Sequence, residues 1–450
     1  MLETVRHIYF LGIGGIGMSA LARYFHVQGK IVSGYDKVST PITKALQDEG
    51  IDIHFEDLGD NAIKDVDLLI YTPAIPHTLN EYTAFMNSDI PKFKRAEILG
   101  EISKDYFTIA IAGTHGKTTI TSMVAHILHV SGLKVNAFIG GISNNYNSNL
   151  IVDADAHIMV VEADEFDRSF LHLHPDIAII SSIDADHLDI YNDKSTLENT
   201  FMDFTRQIKK GGTLIYHDKL NIPNDIADIV HTYGENDIDT FQSKFIKIKN
   251  RAQLFSFKDK SNITVNFELP MPGRHNLNNV TAALSVASLL NISKEQMFYA
   301  LSTYKGVRRR FERLIDTDSQ VLIDDYAHHP AEIRAAIYAA REMFPNYPIM
   351  GVFQPHLYTR TRDFADDFAK ELSKLDSLVL LDIYPARELP IHGVDSQMLL
   401  QKVNLENKHL VSKDDLPNFI INNLSPLILM MGAGDIDRQV EIVKQTLLDA

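Results

Sequence analysis

The 450-residue chain contains no cysteine. Disulfides, thiolate nucleophiles and cysteine-ligated zinc are therefore excluded. Positive charge is in deficit as well: 43 Lys and Arg stand against 59 Asp and Glu, a formal net charge of −16. Binding to nucleic acid needs a basic face that displaces counterions, so this balance argues against a nucleic-acid partner. Long apolar runs are missing too. No stretch approaches the roughly 20 apolar residues that span a bilayer. The start, MLETVRHIYFLGIGG, lacks the basic segment and long apolar core of a secretory signal. The expectation is a cytoplasmic protein without membrane insertion. Internal repeats and low-complexity segments are also absent.

What is present is ample core material, 45% hydrophobic residues, on a chain too long for one core, so two or three domains are expected. Strand-like apolar runs alternate with helix-like segments, the pattern of an α/β protein with largely parallel sheets. HIYFLGI, KIVSGYD and DLLIYTPA form a first series. FTIAIAG, KVNAFIG, AHIMVVEAD, DIAIISSI and GGTLIYH form a second, continued by the β-rich DTFQSKFIKIKN, AQLFSFK and NITVNFELP. QVLIDDYAHHP, PIMGVFQPH, SLVLLDIYPA and LILMMGAG form a third. The restarts place domain boundaries near 105 and 308, giving expected domains 1–104, 105–307 and 308–450.

IAIAGTHGKTTITSM, from Ile109 to Met123, leads from a β-rich segment into Gly-Lys-Thr-Thr. At a strand-to-helix turn, backbone amides and the helix dipole attract anions, and Gly113 and Gly116 let the backbone approach phosphate oxygens. Lys117 is placed for the β and γ phosphates and the Thr118 hydroxyl for Mg²⁺, while Thr114, His115 and Thr119 complete the loop. The generic pattern has a glycine five residues before the Gly of Gly-Lys; here that position is Ile111. A chance Gly-Lys-Thr in a βα turn is the plain alternative.

A second glycine loop, GIGGIG, spans Gly12 to Gly17 and includes Gly14, Gly15 and Ile16; Asp36 closes the next strand at the distance of a ribose-binding acid. Alone this suggests NAD or FAD. A loop that cradles one diphosphate suits another, including that of a UDP-sugar, so the motif marks a diphosphate site and leaves the ligand open. Thr72, within DLLIYTPA, is a further substrate-binding candidate.

VVEADEFD puts Glu162, Asp164, Glu165 and Asp167 at a strand end, and SSIDADHLDIY does the same for Asp184, Asp186 and His187. Mg²⁺ prefers oxygen, so a carboxylate is the expected ligand and histidine the less usual one. A solvated acidic turn is the alternative. GRHNLNN offers His275, Asn276 and Asn279, the asparagines sharing one helix face or serving as caps. In YKGVRRRFERL, a guanidinium suits a transferring γ-phosphate, though three arginines are also a solvated charge run. VLIDDYAHHPAEI sets Asp324, Asp325, Tyr326, His328 and His329 after a strand. Adjacent histidines point apart too easily to favour one metal between them.

GTHGKTT, EADEFDRSF, DADHLDIY, HNLNNVTAAL, RRRFERL, DDYAHHPAEI, FQPHLYTRTRDF and GAGD resemble, in order and rough spacing, the motifs of the Mur ligases of peptidoglycan synthesis. The resemblance runs from GIGGIGMSALA to GAGD. It looks nearest the branch that joins L-alanine to UDP-N-acetylmuramate, through GIGGIGMSA and FQPHLYTRTRDF, although the murein-peptide recycling branch shares several motifs. It implies an N-terminal Rossmann-like domain for the sugar nucleotide, a central P-loop-type ATPase α/β domain for ATP and Mg²⁺, and a C-terminal Rossmann-like α/β domain for the amino acid. The implied reaction is phosphorylation of the lactyl carboxylate followed by attack of the alanine amine. By the same resemblance Lys117 stabilises the phosphates, Thr118 and Glu162 hold one Mg²⁺, and His187 holds a second. Asn276 and Asn279 touch the adenine or its surroundings, and Arg310 and Asp325 complete the ATP site on domain closure. Tyr326, His328 and Arg360 line the alanine pocket. Many relatives have arginine where this chain has Leu357, which shifts the anchoring of the amino-acid carboxylate towards Arg360. The implied assembly is a monomer or homodimer. A nicotinamide oxidoreductase would leave GTHGKTT idle, and a catalytically dead sugar-nucleotide binder would have no use for Lys117, Glu162 and His187.

Overall fold

The apolar runs assemble into three sheets. The computed structural model describes residues 2–184, 193–223, 225–386 and 388–449. Asp186 and His187 lie outside the described residues.

The first sheet contains β1 (His7–Leu11), β2 (Ile31–Tyr35), β3 (Asp52–His54), β4 (Leu68–Tyr71) and β5 (Lys92–Lys94). Its order is β3-β2-β1-β4-β5, all parallel. Parallel strands carry helices on both faces and so read as continuous apolar runs, as LLIY does in β4. The chain leaves β1 towards β2 on one side and returns to β4 on the other. That reversal opens a crevice at the carboxyl end of β1, where the GIGGIG loop sits.

The second sheet runs β15-β14-β13-β12-β11-β10-β6-β9-β7-β8. Its strands are β6 (Phe107–Ala112), β7 (Val135–Ser143), β8 (Ser148–Ile151), β9 (Ile158–Glu162), β10 (Ile177–Ile180), β11 (Thr213–His217), β12 (Ile229–Gly234), β13 (Phe241–Lys249), β14 (Ala252–Lys258) and β15 (Thr264–Leu269). Strand β6 is flanked by β10 and β9, both parallel to it. The loops after these three strands therefore converge on one sheet end. Asn250 and Arg251, at φ 50° and 58°, supply the left-handed pair that a two-residue hairpin between β13 and β14 requires.

The third sheet, β16-β17-β21-β18-β19-β20, comprises β16 (Glu312–Asp316), β17 (Val321–Asp325), β18 (Ile349–Phe353), β19 (Ser377–Leu380), β20 (Lys408–Leu410) and β21 (Leu427–Met431). Only β16 runs antiparallel to its neighbour among these strands. Alternation along β17 sends Val321 and Ile323 to one core and Leu322 to another, so both faces of the sheet are covered.

By internal contacts the chain divides into two units. One is Met1–Lys244 with Ser256–Phe267 and Asn278–Lys305; the other is Phe245–Phe255 with Glu268–Leu277 and Gly306–Ala450. Within the first unit, Phe25, Leu99, Phe138 and Phe170 belong to a single core shared by the first two sheets. No helix among the described residues is long and apolar enough to cross a membrane.

Candidate functional site

Strand β6 ends at Ala112, and the loop Gly113–Gly116 delivers the chain into the helix Lys117–Val130. Gly113 at φ 136° and Gly116 at φ 82° take conformations that other residues rarely adopt. A β-carbon on Gly113 would lie 2.1 Å from Ser181 Oγ, and one on Gly116 would lie 2.5 Å from Asn279 Oδ1. The loop is held from β10: Thr114 N donates to the Ser182 carbonyl at 3.1 Å and His115 N to Ser182 Oγ at 2.9 Å. Ser181 Oγ donates to the His115 carbonyl at 2.5 Å. Asp184 lies 3.4 Å from His115 Nε2, and its amide donates to Thr114 Oγ1 at 3.0 Å.

Lys117 folds back over this loop. Its Nζ donates to the Gly113 carbonyl at 2.7 Å and to both oxygens of Glu165 at 2.9 and 2.8 Å. The Glu165 side chain is fully buried and that of Lys117 is 13% exposed. Burial by itself would lower the lysine pKa, but the carboxylates of Glu165, Asp164 and Glu162 outweigh it and raise the net value, so the ammonium stays charged. Thr118 and Thr119 follow in the first buried turn of the helix.

Glu162 closes β9 in register with Ile111 of β6, and its Oε2 accepts the Gly140 amide at 3.0 Å. Gly140 has to be small, since a β-carbon there would fall 2.2 Å from the same carboxylate oxygen. The structure thus brings Lys117, Thr118, Glu162 and Asn279 to one end of the second sheet. Among the described residues no three His, Asp or Glu side chains converge as a metal cage. Mg²⁺ beside a nucleotide takes one or two protein oxygens together with phosphates and water, and the Thr118 hydroxyl and Glu162 carboxylate are oxygen donors of that kind.

The first glycine loop is tied down along its first half. Gly12 and Ile13 amides donate to the Tyr35 carbonyl at 2.9 and 3.1 Å, and the Gly14 amide donates to Asp36 Oδ2 at 2.8 Å. Gly12, at φ 84°, leaves no room for a side chain beside Thr72. Gly15 caps the helix Ile16–Val27. Gly12, Gly14, Asp36 and Thr72 are therefore one cluster, with Asp36 spent in part on its own loop. Gly17 lies against Arg95 instead.

In the second unit, Asp325 ends β17 and accepts the amides of Phe311 and Ala327, each at 2.8 Å. The guanidiniums of Arg309 and Arg310 lie over the Tyr326 ring at 5.1 and 5.2 Å. Burial pushes Asp325 up to about 6 and neighbouring Asp324 up to about 7, with Arg310 and Arg309 respectively pulling them back. His328 Nδ1 is 2.9 Å from the Tyr326 carbonyl, and burial lowers its pKa. His328 also contacts His356 edge to face, and His356 Nδ1 is 3.4 Å from Arg360 Nη1. Tyr326, His328 and Arg360 are thus linked through His356. Leu357 adopts φ 70° and ψ 138°, a sparsely populated conformation costing an L-residue about 1–3 kcal/mol, and its amide donates to the Tyr384 carbonyl at 2.9 Å. Asn276 is buried and donates to the Pro272 carbonyl at 2.8 Å.

Sequence reasoning did not single out Ser181, Ser182 or Arg95. The serines were visible in SSIDADH, but their role depends on β10 lying beside β6. Glu165 was visible within VVEADEFD, but nothing in four closely spaced acids says which one meets the lysine.

Profiles of three families cover nearly the whole chain: "Mur ligase family, catalytic domain" matches residues 7–107, "Mur ligase middle domain" 111–287 and "Mur ligase, glutamate ligase domain" 309–434. The chain is 46% identical to the UDP-N-acetylmuramate–L-alanine ligase of Christiangramia forsetii over 453 residues, covering 99% of each. It is similar in structure to the UDP-N-acetylmuramate-alanine ligase of Thermotoga maritima, with TM-score 0.84, 27% identity, and coverage of 98% of this chain and 99% of that one. A murein peptide ligase of Psychrobacter arcticus shares the fold at TM-score 0.72 and 23% identity, covering 99% of each chain.

Proposed function

The chain belongs to the Mur ligase family, and from that premise we propose that it joins L-alanine to the lactyl carboxylate of UDP-N-acetylmuramate with conversion of ATP to ADP and phosphate, in peptidoglycan precursor synthesis. The observation that carries the reading is the charged Lys117 on a glycine-shaped loop with Glu162 on the adjoining strand. A carboxylate resists nucleophiles, so it must first acquire a leaving group. The lactyl oxygen attacks the γ-phosphorus, ADP departs, and an acyl phosphate forms. The alanine amine then attacks the acyl carbon, loses a proton, and the tetrahedral intermediate expels phosphate to leave the amide.

The parts of individual residues are assigned from the motifs that carry them. Lys117 and the loop residues Gly113, Thr114, His115, Gly116 and Thr119 are assigned to the phosphates, and Lys117 stabilises charge developing on the bridging and γ oxygens. Thr118 and Glu162 would hold Mg²⁺, which when bound neutralises phosphate charge, and His187 is assigned to a second ion. Asn276, Asn279, Arg310 and Asp325 are assigned to the nucleotide, with Arg310 as a catalytic cation. Gly12, Gly14, Gly15, Ile16, Gly17, Asp36 and Thr72 are assigned to the sugar nucleotide, and Tyr326, His328 and Arg360 to L-alanine. The corresponding domains are 1–104, 105–307 and 308–450. A cytoplasmic location, where ATP is abundant, and a monomeric or homodimeric state complete the reading.

The test is phosphate release from ATP and Mg²⁺ with UDP-N-acetylmuramate, comparing L-alanine, the L-alanyl-γ-D-glutamyl-meso-diaminopimelate tripeptide and no amine. Turnover driven by L-alanine alone is expected. Turnover driven by the tripeptide would reassign the amino-acid pocket, and turnover with neither would refute the ligase reading.

A further inference from the structure

Arg95 opens the helix Arg95–Ser103, directly after the edge strand β5. Its side chain reaches the first glycine loop, where a β-carbon on Gly17 would fall 2.7 Å from Nη1 and 2.9 Å from Cδ. The same guanidinium reaches the acidic end of β9, with Nη2 3.7 Å from Asp164 Oδ2. At that length the contact is Coulombic and not a hydrogen bond. Among the described residues the guanidinium donates no hydrogen bond, and it remains 27% exposed. A planar fork of five donors is thus held between two loops with its donors available.

The surrounding charge gives this placement a purpose. The Gly14 amide, part of the cradle expected to receive a diphosphate, is already bound to the Asp36 carboxylate. An anionic ligand arriving there meets a resident negative charge, and on the far side Glu162, Asp164 and Glu165 add more. A fixed cation is required to offset that repulsion, and arginine is suited to both diphosphate and carboxylate oxygens through paired hydrogen bonds. Gly17 is what lets the guanidinium approach the loop so closely.

We propose that Arg95 binds an oxyanion of the sugar nucleotide, either its diphosphate or its lactyl carboxylate, between the glycine loop and the strand end that carries Glu162. This rests on the sugar-nucleotide reading given above. The ion pair with Asp164 holds the guanidinium in place until the ligand oxygens take up its donors.

The experiment is titration calorimetry on the full chain and its Arg95→Ala and Arg95→Lys variants, with UDP, UDP-N-acetylglucosamine, which lacks the lactyl group, and UDP-N-acetylmuramate. Arg95→Ala should weaken UDP-N-acetylmuramate binding by about 10- to 100-fold, the worth of a charge-assisted pair. Arg95→Lys should restore part of it, and ATP affinity should stay unchanged, which separates lost recognition from lost folding. Parallel weakening of all three ligands assigns the diphosphate; weakening of UDP-N-acetylmuramate alone assigns the carboxylate. Equal affinities of wild type and Arg95→Ala for all three would overturn the inference while leaving the ligase reading intact. Wild-type protein that binds none of the three would overturn both.

Discussion

Replacing Glu165 by glutamine tests how the nucleotide loop is held at rest. Lys117 makes two bonds of 2.9 and 2.8 Å to the carboxylate and one of 2.7 Å to the Gly113 carbonyl. The Glu165 side chain is fully buried. Removing one partner of a buried ion pair costs about 3–5 kcal/mol, because the other charge stays behind without compensation. Glutamine keeps one acceptor oxygen, so a value near 3 kcal/mol is expected. For a unit the size of the first one, about 280 residues, an unfolding entropy of about 2.1 cal/mol/K per residue turns that into a Tm lowered by roughly 5 °C. A triphosphate replaces the missing negative charge. A non-hydrolysable ATP analogue with Mg²⁺ should therefore raise the Tm of Glu165→Gln by more than it raises that of the wild type, on top of the about 2.7 kcal/mol that any site gains at a hundred times its Kd. Thermal unfolding with and without the analogue reads both quantities. A variant as stable as the wild type without nucleotide, or one that nucleotide stabilises less, would refute the reasoning.

Three further outcomes are expected. Glu162→Gln should raise the Mg²⁺ concentration for half-maximal phosphate release by about tenfold or more, and an unchanged Mg²⁺ titration would remove Glu162 from the metal set. Gly116→Ala should weaken ATP binding and cost about 1–3 kcal/mol of stability, since φ is 82° and the new methyl falls 2.5 Å from Asn279 Oδ1; an unaltered ATP KM would contradict the loop assignment. Asp324, raised by burial from 3.8 to about 7, keeps its proton when folded over a range where the unfolded chain has lost it. Its contribution is thus fully present below pH 4 and is lost as pH rises to about 7. Three pKa units at about 1.4 kcal/mol each make that loss about 4 kcal/mol. Denaturation of wild type and Asp324→Asn from pH 4 to 8 should show their stability difference moving in the variant's favour as pH rises, and a pH-independent difference would contradict it.

Long apolar strands were readable because a parallel strand buried on both faces leaves an uninterrupted signature, as in FTIAIA and LILMM. Strand β8, SNLI, is largely buried but too short, and its polar half too long, to read as an apolar run. The short edge strands β3 and β5, DIH and KFK, carry no such signature, because an edge buries less and admits polar residues. Strand β16, ERLID, hides within the arginine-rich run for the same reason. The candidate site divides along similar lines. Lys117 and Thr118 follow from the chain's own order, since loop and helix are contiguous. Ser181, Ser182 and Arg95 arrive from other elements, and only the pairing of β10 with β6 and the path out of β5 bring them in. The GIGGIG motif marked the tight turn after β1, but that Asp36 would bind its own loop's Gly14 amide depends on a loop geometry no spacing rule contains.

Both glycine loops proposed to receive phosphates carry a carboxylate of their own: Asp36 on the Gly14 amide and Glu165 on Lys117. Neither is an open positive trap. A simple anion such as inorganic phosphate or sulfate, entering either cradle, has to displace a tethered competitor whose effective concentration is set by the fold. Only a ligand with further handholds, a nucleoside on one end or a sugar on the other, recovers enough contact energy to win that exchange. On the proposed assignment of both loops to phosphates, the resident acids act as placeholders that sacrifice affinity to gain selectivity against free phosphate.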